Sequence, residues 1–486
     1  MQIKDLIYKA SLISVSGRTD IDVDAICFDS RKVEVGSMFI AVRGVSSDGH
    51  DYIQDVIKKG ATAIICEELP AFDESVDCTI IQVKDTSEAL GIIASNFYNK
   101  PSEKLKLVGI TGTNGKTTTV TLLYNLFRQL GYKTGLLSTV ENKIEDKVIT
   151  STHTTPDAIS LNKLLSEMVA AGCTHCFMEV SSLAAVQRRI AGLNFSGALF
   201  SNITHDHLDY HKTFEEYIKA KKLFFDGLPN DSFALINADD KRGRVMIQNT
   251  RAKTYTYSLL ALADFKGKLI TTTMQGLEMD IDGYQAWFRL IGNFNAYNLL
   301  AVYGAAVLLG EDKEEVLMQL SSIEAANGRF EQFHSATNIS VIVDYAHTPD
   351  ALKNVLETIT QLKESHKIIT VVGCGGNRDA AKRPVMADIA CQFSDHVVLT
   401  SDNPRDEDPQ AILSEMETGV RIVDRKKVLS VLDRKEAIKI ACTLAAPGDI
   451  LLIAGKGHET YQEIKGVKHD FDDRLVVKEV LNILGK

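Results

Sequence analysis

The run Leu105-Lys-Leu-Val-Gly-Ile-Thr-Gly-Thr-Asn-Gly-Lys-Thr-Thr-Thr-Val120 changes character twice. Leu105, Leu107, Val108 and Ile110 read as a short buried strand, Gly112 and Gly115 as a turn, and Val120 to Leu130 as a helix. Such a junction is a phosphate cradle: backbone N–H groups of the turn and of the first helical turn converge, and the helix dipole adds positive charge. Lys116 supplies a full charge, and the hydroxyl of Thr117 can ligate Mg²⁺. The common P-loop has a glycine five residues before its Gly-Lys pair, where this chain has Ile110. ATP or GTP binding is the working expectation, a glycine turn without a ligand the alternative.

Working outward, 486 residues are too many for one core, and an α/β fold of three domains is expected. A net charge of −10 argues against a general nucleic-acid or anionic-membrane binder. Neither a signal peptide nor an apolar run long enough to cross a bilayer is evident, so a cytoplasmic protein is expected. The eight scattered cysteines suit reduced, buried thiols; Cys173-Thr-His-Cys176 has metal-like spacing but no second pair.

Residues 1–102 form a first unit of short strands and helices, in which Asp29-Ser-Arg-Lys32 is either a solvated turn or an anion site. Residues 103–330 form the nucleotide unit, a central P-loop-type domain. There Glu179 ends the strand Cys176 to Val180, where ligands of parallel sheets collect, and could hold a second cation. His205, His207 and His211 invite a zinc reading, but a histidine assisting magnesium beside Glu179 is preferred. Asn293, Asn295 and Asn298 are helix caps or contacts to a purine or ribose. Residues 331–486 alternate strand and helix, as in a doubly wound, Rossmann-like domain, and polar loops follow four strand ends: Asp344 to His347, Gly373 to Asp379, Ser401 to Arg405 and Gly455 to Glu459. On one sheet edge they would make a pocket of both charge signs.

In their order along the chain, these motifs resemble the Mur ligases, most closely the MurE type, which add the third amino acid of the peptidoglycan stem peptide. The motifs are Asp29-Ser-Arg31, Gly112 to Thr118, Thr154-Thr-Pro156, Glu179-Val-Ser-Ser182, Asp206 to His211, Gly292 to Asn298, Gly328-Arg329, Asp344 to Pro349, Gly375 to Pro384, Asp402 to Arg405 and Gly455 to Glu459. The unusual cradle spacing is also the family's. Two departures are Leu183, where the family often has histidine, and Asn327, where it has proline before Gly-Arg.

The resemblance implies a cytoplasmic, ATP-dependent ligase of cell-wall synthesis, expected to be monomeric, with Mg²⁺ as cofactor. Its substrates would be ATP, UDP-MurNAc-L-Ala-D-Glu and meso-diaminopimelate. Gly112, Thr113, Asn114, Gly115, Lys116, Thr117 and Thr118 would bind ATP, with Asn295, Arg329 and Asp344. Thr117, Glu179 and His207 would hold Mg²⁺, and Lys221 matches a carbamylated lysine; Lys116, Glu179, His207 and Lys221 would be catalytic. Ser30, Thr154, Thr155, Ser181, Gln187 and Arg189 would contact the UDP-substrate. Arg378, Asp402, Asn403, Pro404, Arg405, Gly455 and Glu459 would form the amino-acid pocket, its arginines suited to a second carboxylate and Glu459 to a second ammonium. A lysine-adding ligase, a folylpolyglutamate synthetase and a nucleotide-dependent switch are the rivals.

Overall fold

The structure is a computed structural model that describes every residue except 45, 46, 71–77, 152, 205, 207 and 364. Its backbone forms three principal sheets in chain order, each flanked by helices, and together they give the three-domain α/β architecture.

The first sheet has five strands in the order Leu12–Ser16, Thr79–Val83, Ala63–Cys66, Ser37–Ile40 and Ala25–Cys27. All neighbours are parallel except the first pair. The helix Thr86–Phe97, capped by the Asp85 carboxylate, lies along the seam with the middle domain. The contact is close there: a Cβ on Gly91 would fall 2.6 Å from the carbonyl oxygen of Ala191. Only glycine lets the two backbones meet. Ala158, at the start of the helix Ala158–Ala170, belongs to the first domain's apolar core and strengthens the seam.

In the middle sheet of eleven strands, Lys106–Thr111 is flanked on both sides by parallel neighbours, Gly197–Phe200 and His175–Glu179. Its alternation sends Val108 and Ile110 into the core on one face and Leu107 into the core on the other. Successive connections leave it toward opposite edges, so its carboxyl end is the topological switch point where α/β sheets bind ligands. The helix that follows begins at Lys116, one turn earlier than the apolar pattern suggests, because Thr117, Thr118 and Thr119 are themselves buried. The antiparallel strands Phe265–Thr273, Gly276–Ile281 and Tyr284–Phe288 extend one edge. The helix Asn293–Leu309 also starts a turn before the apolar run, from Gly292 at φ +95°.

The third sheet runs Glu331–His334, Ser340–Asp344, Ile450–Ala454, Ile368–Cys374, His396–Ser401 and Val428–Ser430, parallel apart from its first pair. Ile342 faces one core and Val341 and Val343 the other, as a doubly wound sheet requires. Four strands therefore deliver their following loops to one edge. No helix among the described residues is long and apolar enough to cross a membrane.

Candidate active site

The carboxyl edges of the middle and third sheets face one cavity of about 600 Å³. Cradle residues Asn114 to Thr118 line it, with Glu179 and Lys221, and so do Arg378, Asp402, Asn403, Arg405, Gly455 and Glu459 from the third domain.

The cradle's glycines are steric necessities. A Cβ on Gly112 would lie 1.9 Å from Ser201 Oγ, and one on Gly115, whose φ is +87°, 2.4 Å from Asn298 Oδ1. Lys116 Nζ donates to the carbonyls of Gly112 and Thr113 at 3.0 and 2.9 Å. Lys221 reaches from the helix Phe214–Asp226 to the same Gly112 oxygen at 2.7 Å. It is 2% exposed and its ammonium lies 4.6 Å from the Tyr217 ring centre. Burial, with Lys116 nearby, drives the Lys221 ammonium well below the usual lysine range, and burial also lowers Lys116. Among the described residues neither lysine has a carboxylate within ion-pair distance.

Glu179 is buried at its strand end and accepts from Thr117 Oγ1 at 2.8 Å, from the Thr139 N–H at 2.8 Å and from Thr139 Oγ1 at 3.2 Å. Thr139 Oγ1 also lies within hydrogen-bond distance of Thr154 Oγ1, at 3.0 Å. The hydroxyl of Thr117 and the carboxylate of Glu179 form an oxygen-only donor pair of the kind a hard cation such as Mg²⁺ takes. His207 lies outside the described residues, as does His205. His211 is buried against the Ser182 hydroxyl at 2.9 Å, and no metal-type cluster occurs among the described residues.

Two cavity residues come from the hinge. Arg329 donates to Thr117 Oγ1 at 3.1 Å and stacks 4.3 Å from the Tyr345 ring centre. Gly328, at φ +65°, has no room for a side chain, since a Cβ would fall 2.1 Å from the His458 nitrogen. Asp344 lines the cavity and accepts from the N–H groups of Phe330 and Ala346 at 2.6 and 2.8 Å; burial raises its pKa. Asn295, expected to reach a nucleotide, instead bonds inward, Nδ2 to the Ile291 carbonyl at 2.8 Å and Oδ1 to Asn298 Nδ2 at 2.9 Å. Asn293, Phe294, Tyr297 and Asn298 are the residues of that segment on the cavity.

Of the residues expected to hold the UDP-substrate, Thr154 and Ser181 line the cavity. Thr155, Gln187 and Arg189 form a supporting lattice behind it: Arg189 donates to the Thr155 carbonyl at 2.7 Å and to Gln187 Oε1 at 2.7 and 3.0 Å. Ser30 sits away from this cavity in a short 3₁₀ turn capped by Asp29, and its carbonyl accepts from Lys59 at 2.8 Å.

On the third-domain wall, Arg405 adopts a left-handed φ of +50°, held by its N–H to the Glu463 carbonyl at 3.0 Å and its guanidinium to the Gly376 carbonyl at 2.8 Å. Such a conformation costs about 1 kcal/mol and fixes the direction of the side chain. A Cβ on Gly376 would collide with the Pro404 carbonyl at 1.9 Å, so the Gly375-Gly376 pair lets the Arg378 loop lie on the Asp402 to Arg405 loop. Arg378 is exposed at the rim.

Sequence reasoning missed three participants. Thr139 closes the Glu179 network, Asp350 accepts from Asn114 Nδ2 across the domain boundary at 2.8 Å, and Lys456 is buried beneath Glu459. Only Lys456 stood in a motif already noted.

Three family models match: Mur ligase family, catalytic domain, over residues 22–98; Mur ligase middle domain over 110–306; and Mur ligase, glutamate ligase domain, over 328–457. A UDP-N-acetylmuramoyl-L-alanyl-D-glutamate–2,6-diaminopimelate ligase of Cytophaga hutchinsonii is 86% identical over 486 residues, covering 100% of both chains. The protein of the same name from Bacteroides fragilis is 54% identical, covering 99% of this chain and 100% of its own. A solved structure of a ligase of that name superposes with a TM-score of 0.71 at 31% identity, covering 100% of this chain and 99% of its own.

Proposed function

The chain belongs to the Mur ligase family, and from that premise we propose that it joins meso-2,6-diaminopimelate to the D-glutamate side-chain carboxylate of UDP-MurNAc-L-Ala-D-Glu at the expense of ATP. The observation that carries this reading is the single cavity whose one wall is a phosphate cradle and whose other wall holds Arg405, Asp402 and Glu459. A polyphosphate on the first wall and a zwitterionic amino acid on the second leave the acceptor carboxylate between them.

A carboxylate is a poor acyl donor. Transfer of the γ-phosphoryl group to it, with cleavage of the β–γ bond and ADP as leaving group, gives an acyl phosphate; the free amine attacks and gives up a proton to solvent, the tetrahedral intermediate collapses, and phosphate leaves with its bonding electrons. Lys116 holds the polyphosphate and offsets the charge that collects when two anions meet. Thr117 and Glu179, with His207 by the family resemblance, would hold Mg²⁺, which when bound would supply further charge neutralisation for phosphoryl transfer. Lys221, driven by its surroundings toward the neutral amine, is in the form that adds CO₂; the resulting carbamate is an anion where an ammonium would repel metal. Arg329 ties the hinge to the cradle, so the third domain closes over the nucleotide and keeps water from the acyl phosphate.

Residues 1–102 and the Thr154 to Arg189 segment take the UDP-sugar peptide, residues 103–330 the nucleotide and residues 331–486 the incoming amino acid. The reaction takes place in the cytoplasm, on a monomer. Arg378 and Arg405 engage the distal carboxylate of diaminopimelate, which L-lysine lacks. A coupled phosphate-release assay with the UDP-dipeptide and a panel of amino acids, products weighed by mass spectrometry, tests the reading. Diaminopimelate should be the preferred acceptor; equal turnover with L-lysine, or release indifferent to any acceptor, would overturn it.

A further inference from the structure

Lys456 lies between the strand Ile450–Ala454 and Glu459, 0% exposed, and is not on the cavity wall. Its ammonium donates to Asn403 Oδ1 at 3.1 Å and to Glu459 Oε2 at 3.0 Å. Asn403 Nδ2 donates to the same Glu459 oxygen at 2.7 Å, and Asn403 Oδ1 also accepts from the Glu463 N–H at 2.9 Å. Both donors thus hold Oε2, which leaves Oε1 as the oxygen that Glu459 has available for the cavity it lines. A buried ammonium bonded to a half-buried carboxylate is costly to place unless the geometry is fully satisfied, and here it serves a residue at the substrate wall.

We propose that Lys456 is a positioning residue that sets acceptor specificity: from behind the pocket it fixes the direction and the charge of Glu459, so that the carboxylate can take the distal ammonium of a diamino acid. The inference rests on the function proposed above and deepens it. Without Lys456, little would keep Glu459 ionised. Burial and the neighbouring Asp402 both raise its pKa, and Lys456 and the Asn403 amide oppose them. The other groups facing it from the surrounding elements are Tyr345, a neutral phenol, and Arg434, whose charge is already matched by Asp473 at 2.7 Å. Arg405 is likewise engaged, by Glu463 at 3.5 Å. Lys456 is therefore the cation in contact with Glu459 among the described residues.

The test uses the full chain with Lys456→Met and Lys456→Arg, and measures KM and kcat for each substrate between about pH 6.5 and 9.5. The Met variant should raise the KM for diaminopimelate roughly 10- to 100-fold at neutral pH, with the KM for ATP and for the UDP-dipeptide within about twofold of the parent. That penalty, taken relative to the parent at each pH, should shrink as pH rises and Glu459 ionises unaided; the Arg variant should recover most of the loss at pH 7. Glu459→Gln, neutral at every pH, should show the same penalty with no recovery. If the Met variant does not fold, Lys456→Gln, which keeps a donor for Asn403 and removes only the charge, gives the same readout. A pH-independent penalty, a parallel rise in all three KM values, or no change would each overturn the proposal. Failure of the parent enzyme to use diaminopimelate at all would instead overturn the proposed function.

Discussion

The two walls of the cavity treat buried lysine in opposite ways. In the cradle, Lys116 and Lys221 converge on one carbonyl, that of Gly112, with no carboxylate in ion-pair reach among the described residues. On the acceptor wall Arg405 is matched by Glu463, and behind it Lys456 is matched by Glu459 and Arg434 by Asp473. The cradle lysines therefore lack a contacting counter-charge, with Glu179 and Asp206 acting on Lys116 only from further off, while these three cations at and behind the acceptor wall are each paired. A polyanion needs the first, because its own charge completes the site; a zwitterion needs the second, because each end of it must find one partner without disturbing the other. The sites differ less in residue type than in whether the counter-charge comes from the protein or from the ligand.

The largest expected effect breaks the cradle. Lys116→Ala should lower turnover by about 10³-fold or more, since the lost charge faces the transferring phosphoryl group. Lys221→Met should abolish turnover comparably and yet raise the melting temperature by roughly 2–4 °C, because a buried polar amine, which burial drives away from its charged form, is exchanged for an apolar side chain of similar length. Scanning calorimetry beside ADP-release kinetics checks the pair; a Lys221→Met protein that melts lower than the parent would show that the buried amine stabilises the cradle through its bond to the Gly112 carbonyl.

A smaller effect sharpens the comparison. Raising KCl from about 0.05 to 0.5 M should weaken ATP binding several-fold, because the attraction is between net charges, and should change the KM for diaminopimelate less than about twofold. Equal salt slopes for the two substrates would mean that the acceptor wall is not balanced as its ion pairs suggest.

Much of this was legible in the chain. The strand-turn-helix at Lys106 to Gln129 was readable because its glycines, lysine and apolar residues are adjacent in sequence, and the third domain because each strand is followed at once by its polar loop. What stayed hidden depends on distant partners. Lys456 looked like one polar loop residue among several; its burial is set by Asn403, 53 positions away. Asp350 meets Asn114 across 236 positions and a domain boundary. The resemblance puts Asn295 at the nucleotide, and the residues alone leave the asparagines of this segment as caps or nucleotide contacts; with the helix starting at Asn293, its phase turns Asn295 inward and Asn298 toward Gly115. The Tyr284–Phe288 edge of the middle sheet carries no clear sequence signal, its residues being mostly exposed and weakly patterned.

The smallest expected effect concerns stability away from both walls. Burial depresses His175 to about 4, and it stands between the rings of Phe127 and Tyr132, each 4.6 Å away. In the unfolded chain a histidine titrates near 6.5, so between about pH 6.5 and 4 the unfolded state binds a proton that the folded state refuses. Stability therefore falls as pH drops through that window, and the loss is complete below about 4. His347, also depressed to about 4, and His458, to about 3, act in the same direction from the third domain, while the raised carboxyls of Asp344 and Glu459 act in the opposite one. The net slope of the parent is thus a mixture, and a difference isolates one contributor. His175→Gln should lose less stability than the parent on going from pH 7 to 5 in denaturant titrations followed at both pH values. An identical loss in the two proteins would mean that His175 takes its proton as readily folded as unfolded, so that burial and the neighbouring Lys106 do not hold this imidazole neutral.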